Sequence, residues 1–244
     1  MERAWDVAVI GAGPAGALAA RQLARAGLAV VLIERARFPR DKVCGCCINA
    51  AALHTLAEAG LGDLPERMGA EPIRSLNLAS GRARASVPIG GVAVSRAAFD
   101  QRLALEASNA GATLLMQTVA AVDASGRLLV RSVGQIEWRS LAARVVLAAD
   151  GLAGSALAGR ADLASLAARG SRIGAAAILP ASVPGFEHGT IHMTVGAGGY
   201  VGAVRLEDRR LNIAAALDPE FIRESGGPGA AIAEILRSAG APPI

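Results

Sequence analysis

Six residues, Gly11-Ala12-Gly13-Pro14-Ala15-Gly16, stand where a short apolar run gives way to a stretch rich in alanine and leucine. Glycines at this spacing suit a tight strand-to-helix turn. Gly11 permits the turn, Gly13 lets backbone approach a phosphate, and Gly16 lets helix and strand pack closely. The chemistry is electrostatic, because unpaired N–H groups and the dipole at a helix N-terminus stabilise negative charge. Glu34-Arg35 closes the next apolar run, 23 residues after Gly11. A carboxylate there accepts hydrogen bonds from a ribose and repels a 2′-phosphate. The pattern therefore predicts bound FAD or NAD, not NADP, with residues 11 to 16, Glu34 and Arg35 around it.

Three further clusters carry candidate chemistry. Cys44, Cys46 and Cys47 crowd into four positions beside Lys42, the single lysine among 25 basic residues. Asp150-Gly151 ends the apolar run Val145 to Ala149, and so sets a carboxylate and a flexible backbone at a sheet's C-terminal edge, where open α/β sheets bind ligands. Arg96 opens an amphipathic stretch, and Tyr200, the only tyrosine, lies in a run of alternating apolar residues before Asn212. Tyr200 reads equally well as a half-buried strand residue. Cys44-x-x-Cys47 has metal or redox spacing, but only His54, His188 and His192 could join it, so a zinc ligand set does not close. Cys46 and Cys47 read as packing residues.

Elements that position these groups follow from periodicity. Asp6–Ile10 and Ala29–Ile33 read as buried parallel strands, and Pro14–Ala26 as the helix between them, stopped by Gly27. A helix is expected over Asn49–Ala59. Two or three strands are expected over Ile73–Val94, with turns at Ser80-Gly81 and Gly90-Gly91. A helix over Arg96–Ala110 and short strands over Leu114–Leu147 follow. Beyond residue 170 come longer alternating strands, Ile173–Leu179, Thr190–Val195, Tyr200–Leu206 and Leu211–Leu217, then a helix over Gly229–Ala239. The fold class predicted is α/β: a discontinuous Rossmann-like dinucleotide-binding domain over 1–170, with an excursion near 71–95, and a β-rich substrate domain over 171–244.

Composition narrows the partners. The net charge is +4 and aromatics make up 3% of the 244 residues, too little for a nucleic-acid footprint or a base-stacking platform. At 52% apolar residues the chain has ample core, and the partner expected is a small apolar or aromatic molecule. No stretch reaches the roughly 20 apolar residues of a membrane span, and Met1 to Asp6 lack the order of a signal peptide. Three clustered cysteines with no distant partner suit a reducing cytoplasm.

The segment Phe38-Pro39-Arg40-Asp41-Lys42-Val43-Cys44-Gly45 resembles the Pro-x-x-Lys-x-Cys-Gly loop of the geranylgeranyl reductase-like branch of FAD-dependent oxidoreductases. That branch shares a superfamily with the flavin-dependent aromatic hydroxylases and halogenases. The resemblance implies FAD as cofactor, NAD(P)H as electron donor and reduction of an alkene in an isoprenoid-like substrate. It places Cys44 near the flavin, with Lys42 and Gly45 shaping its surroundings, and gives cofactor contacts to Arg96, Asp150 and Gly151. Cys44 and Tyr200 are then the catalytic candidates. Tyr200 and Asn212 match a Tyr-x-Trp-x-Phe-Pro and Asn-Val-Gly element, but Gly202 replaces its tryptophan and Val204-Arg205 its Phe-Pro. An aromatic hydroxylase remains the alternative enzyme. The likeness runs from residue 5 to about 217, and no Gly-Asp motif follows, so the chain reads as a truncated member, with a non-catalytic remnant as the third reading.

Overall fold

The computed structural model describes residues 5–152, 154–163, 166–242 and 244. The opening tetrapeptide, read above for a leader, lies outside them. In chain order the elements are β1 (Trp5–Ile10), α1 (Pro14–Arg25), β2 (Val30–Ile33), β3 (Cys47–Asn49), α2 (Ala50–Glu58), α3 (Leu64–Arg67), β4 (Glu71–Ser80), β5 (Ala83–Ala93), α4 (Arg96–Asn109) and β6 (Thr113–Leu115). There follow β7 (Thr118–Val122), β8 (Leu128–Ser132), β9 (Arg139–Ser140), β10 (Ala143–Ala148), β11 (Ile173–Leu179), β12 (Thr190–Gly196), β13 (Gly199–Arg205), β14 (Leu211–Leu217), α5 (Pro219–Glu224) and α6 (Pro228–Ser238). They fall into two compact units, residues 1–40 with 97–166 and residues 41–96 with 167–244. The excursion drawn at 71–95 lies inside a longer one that starts at Asp41.

The first unit is built on a parallel sheet in the order β10-β1-β2-β6. Its central strands are apolar on both faces, with Ala8, Val9, Val30, Val31 and Leu32 wholly buried, as a strand covered on both sides must be. The α1 crossover joins β1 to β2. Ala26 caps α1 and Gly27 follows with φ +85°, so the helix stops where its glycine stands. A three-stranded antiparallel sheet, β7-β8-β9, contributes Ala120, Val122 and Leu128 to the same core as Ala8, Ile10, Val31 and Ile33.

The second unit is a seven-stranded mixed sheet, β11-β14-β13-β12-β4-β5-β3, in which β12 and β4 are parallel and every other pair antiparallel. The four long strands expected beyond residue 170 are present. The region expected to hold two or three short strands holds two long ones, β4 and β5, paired as a hairpin with the expected turn at Ser80-Gly81. Gly90-Gly91 is no turn: Gly91 lies inside β5 with φ +147°, and a Cβ there would stand 2.6 Å from the Ile48 carbonyl oxygen. That glycine lets β3 close on β5. The periodicity of 219–224 was too short to announce α5.

Strand alternation gives the second sheet two different faces. Val201, Ala203, Leu211, Ile213, Ala215 and Leu217 pack against Ala231, Ile232, Ile235 and Leu236 of α6. Gly196 of β12 lies on that face too, since a Cβ would touch Ile235 at 3.2 Å. A cavity of about 200 Å³ opens on this side between Asn77, Arg84, Phe186, His192, Thr194 and Pro242. The opposite face presents the alternate residues, among them Gly174, Ala176, Gly202, Asn212, Ala214 and Ala216. Replacing Ile235 by alanine should cost about 2–5 kcal/mol, because its buried side chain joins α6 to the sheet. Urea denaturation followed by far-ultraviolet circular dichroism should show the midpoint falling with the slope unchanged.

Candidate functional site

Each unit gathers its own group of the residues singled out above. In the first, β1 runs into Gly11, which has φ +99° and donates its N–H to the Ile33 carbonyl at 2.8 Å. A side chain at Gly11 would put Cβ 2.4 Å from the Ala149 carbonyl oxygen, and one at Gly16 would put it 1.9 Å from the Gly11 carbonyl oxygen. Both glycines are required by the close approach of β1, β10 and α1. Gly13 sits at the N-cap with φ −74° and Pro14 follows at the first helical position, where its missing N–H costs nothing. No side chain caps α1 and no acidic residue occupies its first turn. The free N–H groups of that turn and the positive dipole end can therefore take an anion.

Glu34 ends β2 in a buried position beside this turn. One carboxylate oxygen, Oε2, accepts the Ala12 N–H at 3.0 Å, and Oε1 accepts the Ala36 N–H at 2.9 Å. Glu34 thus holds the second residue of the glycine turn, and a carboxylate's remaining lone pairs can still receive hydroxyl donors. Arg40 reaches Glu34 Oε2 at 3.4 Å and Asp100 Oδ2 at 2.9 Å, with its guanidinium 5.3 Å from the centre of the Phe38 ring. Asp100 is wholly buried, and the buried Arg40 Nε has no hydrogen-bond partner among the described residues. Arg40 thus bridges the two carboxylates. Arg40 and Asp100 were missed as site residues. Asp100 lies far beyond Glu34 in the sequence, and that distance hid the bridge. Arg35 is exposed.

Asp150 and Gly151 follow β10, whose parallel pairing with β1 brings them to the same strand ends as the glycine turn. The Asp150 carboxylate accepts the Ala156 N–H at 2.8 Å and lies 3.5 Å from the Ser155 hydroxyl. It therefore caps a short 3₁₀ turn over Ser155–Leu157. Gly151 has φ +83° and is exposed.

In the second unit the cysteine loop forms a separate cluster. Asn212 is buried and donates from Nδ2 to the Cys44 carbonyl oxygen at 3.1 Å, and Val94 N–H donates to the Cys46 carbonyl at 3.0 Å. Hydrogen-bond donation from the Cys46 side chain first, and more weakly from Arg96, holds the half-buried Cys44 thiol down to about 5, against the opposing effect of burial. The Cys46 thiol is pushed up by the same bond, since it must keep its proton to donate. Cys46 is buried, but Cys47 is exposed and donates its thiol to the Gly45 carbonyl at 3.2 Å. The expectation that Cys47 packs is corrected: alternation along β3 turns Ile48 inward and its neighbours outward. Lys42 and Gly45 are both exposed.

Tyr200 pairs with Ala216 while Asn212 pairs with Val204, so the two lie four rungs apart along one ladder, about 13 Å. Tyr200 is 39% exposed and lies 5.6 Å from the Arg172 guanidinium. His192 stands edge-on to Phe186 at 5.3 Å, and His188 precedes β12 and lies 3.5 Å from Glu71. Neither belongs to the cysteine cluster.

A parallel sheet with a glycine turn, a strand-end glutamate and an Asp-Gly edge defines a dinucleotide-binding fold. The chain belongs to the FAD binding domain family, whose model matches residues 4–170. Over 154 residues it is 36% identical to a menaquinone reductase of Mycobacterium tuberculosis, an alignment covering 60% of this chain and 37% of that protein. Over 152 residues it is 37% identical to digeranylgeranylglycerophospholipid reductase 2 of Methanopyrus kandleri, covering 61% of this chain and 38% of that one. The matches span less than two-fifths of these relatives. Among solved structures, a geranylgeranyl bacteriochlorophyll reductase-like protein of Thermoplasma acidophilum aligns with TM-score 0.75 at 21% identity, covering 99% of this chain and 63% of that one. A flavin-dependent brominase aligns with TM-score 0.76 at 18% identity, over 96% and 61% of the two chains. At these identities the structures establish the shared fold.

Cys44 alkylation reads out the cluster directly. In a Cys47→Ser background, iodoacetamide should label Cys44 with a pH midpoint near 5, followed by peptide mass mapping. Cys46→Ala removes a donor to the thiolate and should raise that midpoint, Arg96→Gln should raise it too, and Cys46→Ser should restore part of the shift.

Proposed function

We propose that this chain is the FAD-holding part of a flavin-dependent reductase that saturates an alkene in an apolar, isoprenoid-like substrate, with NAD(P)H as electron donor. One observation carries the reading. The uncapped N-terminus of α1 and the buried Glu34 carboxylate meet at one residue, Ala12, whose N–H the carboxylate accepts. That is the juxtaposition a diphosphate joined to a ribose requires.

The chain's residues have distinct tasks in this reading. Residues 11 to 16 would receive the diphosphate on backbone N–H groups, and Glu34 would accept ribose hydroxyls while Arg40 and Asp100 hold it in place. Asp150 and Gly151 would border the same ligand at the strand ends. Bound FAD would supply the hydride chemistry, and the protein its position and surroundings. The reacting end is assigned to the Lys42-x-Cys44-Gly45 loop on the resemblance, and the Cys46–Cys44 pair there stores one proton beside a thiolate. The face bearing Gly174, Ala176, Gly202, Ala214 and Ala216, with Tyr200 at one end, is small-residue and apolar, suited to a hydrocarbon chain. Tyr200 lies too far along its ladder to act with Asn212, so it is assigned to substrate contact.

The reductase reading is preferred to a hydroxylase because the Lys-x-Cys-Gly loop and the reductase-named relatives agree. Among the described residues no helix is long and apolar enough to cross a membrane. Three free thiols suit a cytoplasmic setting.

Titration with FAD, followed by flavin fluorescence, tests the site. Wild type should bind, and Gly13→Val should not, since a branched side chain would occupy the phosphate's space. Glu34→Gln should weaken binding about ten- to a hundredfold, the worth of a charged hydrogen bond of about 1.5–3 kcal/mol. A valine variant that stays folded by circular dichroism and binds like wild type would show that the glycine turn is not the cofactor turn. Anaerobic saturation of an isoprenoid alkene by the dithionite-reduced protein is expected. NAD(P)H-dependent oxygen consumption with hydroxylated product would instead assign it to the hydroxylases.

A further inference from the structure

We propose that the cavity between β4, β5, β12 and Pro242 is a binding site for a small carboxylate with a short apolar body. Every residue lining it belongs to the second unit, and it opens on the α6 side of the sheet, away from Asn212 and the cysteine loop that Asn212 holds. His192 and Thr194 of β12 pair with Ala203 and Val201, whose side chains pack on α6, so both point to that side. Asn77 and Ala79 of β4 stand beside them in register, and Arg84 of β5 stands beside Ala79.

Three polar groups line the cavity with hydrogen-bonding capacity that no described residue uses. Thr194 is only 3% exposed, yet its hydroxyl has no partner among the described residues. An unpaired buried hydroxyl is destabilising, so its presence calls for a reason outside the fold. His192 accepts the Glu187 N–H on Nε2 at 3.2 Å. Burial holds its imidazole below the ordinary pKa, so at pH 7 the ring is neutral and carries its one proton on Nδ1. That N–H is a donor with no acceptor among the described residues. Asn77 Oδ1 accepts the Ser86 hydroxyl at 2.8 Å, which commits the amide oxygen and leaves the Nδ2 donors open.

The fixed charge around these donors is positive. Arg84 donates to the Gly81 and Ala83 carbonyls, each at 2.8 Å, and to the Ala239 carbonyl, but meets no carboxylate among the described residues. Arg205 is buried and gives its donors to the carbonyls of Phe186, Ala181, Arg209 and Val183, again with no anion among the described residues. No aspartate or glutamate is among the described residues lining the cavity, and the exposed Glu187 carboxylate acts on His192 from outside that lining. A carboxylate answers both features, since its oxygens accept from all three donors and its charge offsets the guanidinium groups. Phe186, Ala79 and Pro242 add an apolar wall that phosphate or sulfate would leave unused. The volume of about 200 Å³ exceeds the ~150 Å³ that holds a benzene, so a benzoate-sized body fits.

The site stands apart from the flavin reading, and its test needs no FAD. In titration calorimetry of the full chain, one equivalent of benzoate should bind with Kd about 1 mM or below. Benzyl alcohol, of similar shape without the charge, should bind at least about tenfold more weakly. Thr194→Val should weaken benzoate about tenfold while leaving the thermal midpoint of the unliganded protein unchanged or raised, because the lost hydroxyl has no partner in the fold. Asn77→Asp keeps an acceptor for Ser86 but adds a negative charge, and should abolish binding in a protein that circular dichroism shows to be folded. Wild type that binds no benzoate at about 10 mM overturns the proposal. So does equal affinity for benzyl alcohol, or benzoate binding that neither substitution changes.

Discussion

Close approach of backbone at the start of α1 is the constraint on which the first unit turns. The Ala149 carbonyl oxygen lies 2.4 Å from where a Cβ on Gly11 would be, and the Gly11 carbonyl oxygen 1.9 Å from where one on Gly16 would be. β1, β10 and α1 therefore meet at a point where no side chain fits. Any residue other than glycine would push helix from sheet, and with it the free N–H groups of the first turn. Those groups are the protein's means of holding negative charge, and their direction is set by this packing.

Glu34 ties that geometry to its surroundings. Its carboxylate accepts the Ala12 N–H, so the glycine turn and the end of β2 are fixed to each other by a charged hydrogen bond in a buried place. A buried carboxylate needs compensation, and Arg40 supplies it while also facing the wholly buried Asp100. The arrangement joins three segments far apart in sequence: the glycine turn, the loop after β2 and the second turn of α4. Orienting Glu34 in this way lets one side chain brace the turn and keep acceptor capacity for a ligand.

The second unit solves a different problem. One face of its sheet is covered by α6 through branched aliphatic residues, and the other carries small residues and Asn212. Asn212 is buried and polar, and its partner is the Cys44 backbone, so the conformation of the cysteine loop depends on a strand 168 residues away. The loop's unusual φ at Cys46 persists because both neighbouring carbonyls are held.

Much of this was legible from the chain alone. Turn, helix and strand from Asp6 to Glu34 were readable because glycine spacing, apolar runs and the terminal acid all follow local rules. The four strands beyond residue 170 announced themselves by alternation. Gly90-Gly91 misled, because a glycine inside a strand and one at a turn look alike until the partner strand, here β3, is in place. Arg40, Asp100 and the inward Cys46 were likewise invisible as site residues, since a bridge from Glu34 across to α4 leaves no periodic trace. The amino-acid order by itself determined the backbone-driven features, the dinucleotide turn and the succession of elements, because these rest on interactions within a few residues. Tertiary structure alone decided which charges neutralise one another, which strands pair and which sheet face α6 covers, because those depend on contacts between segments that only folding brings together.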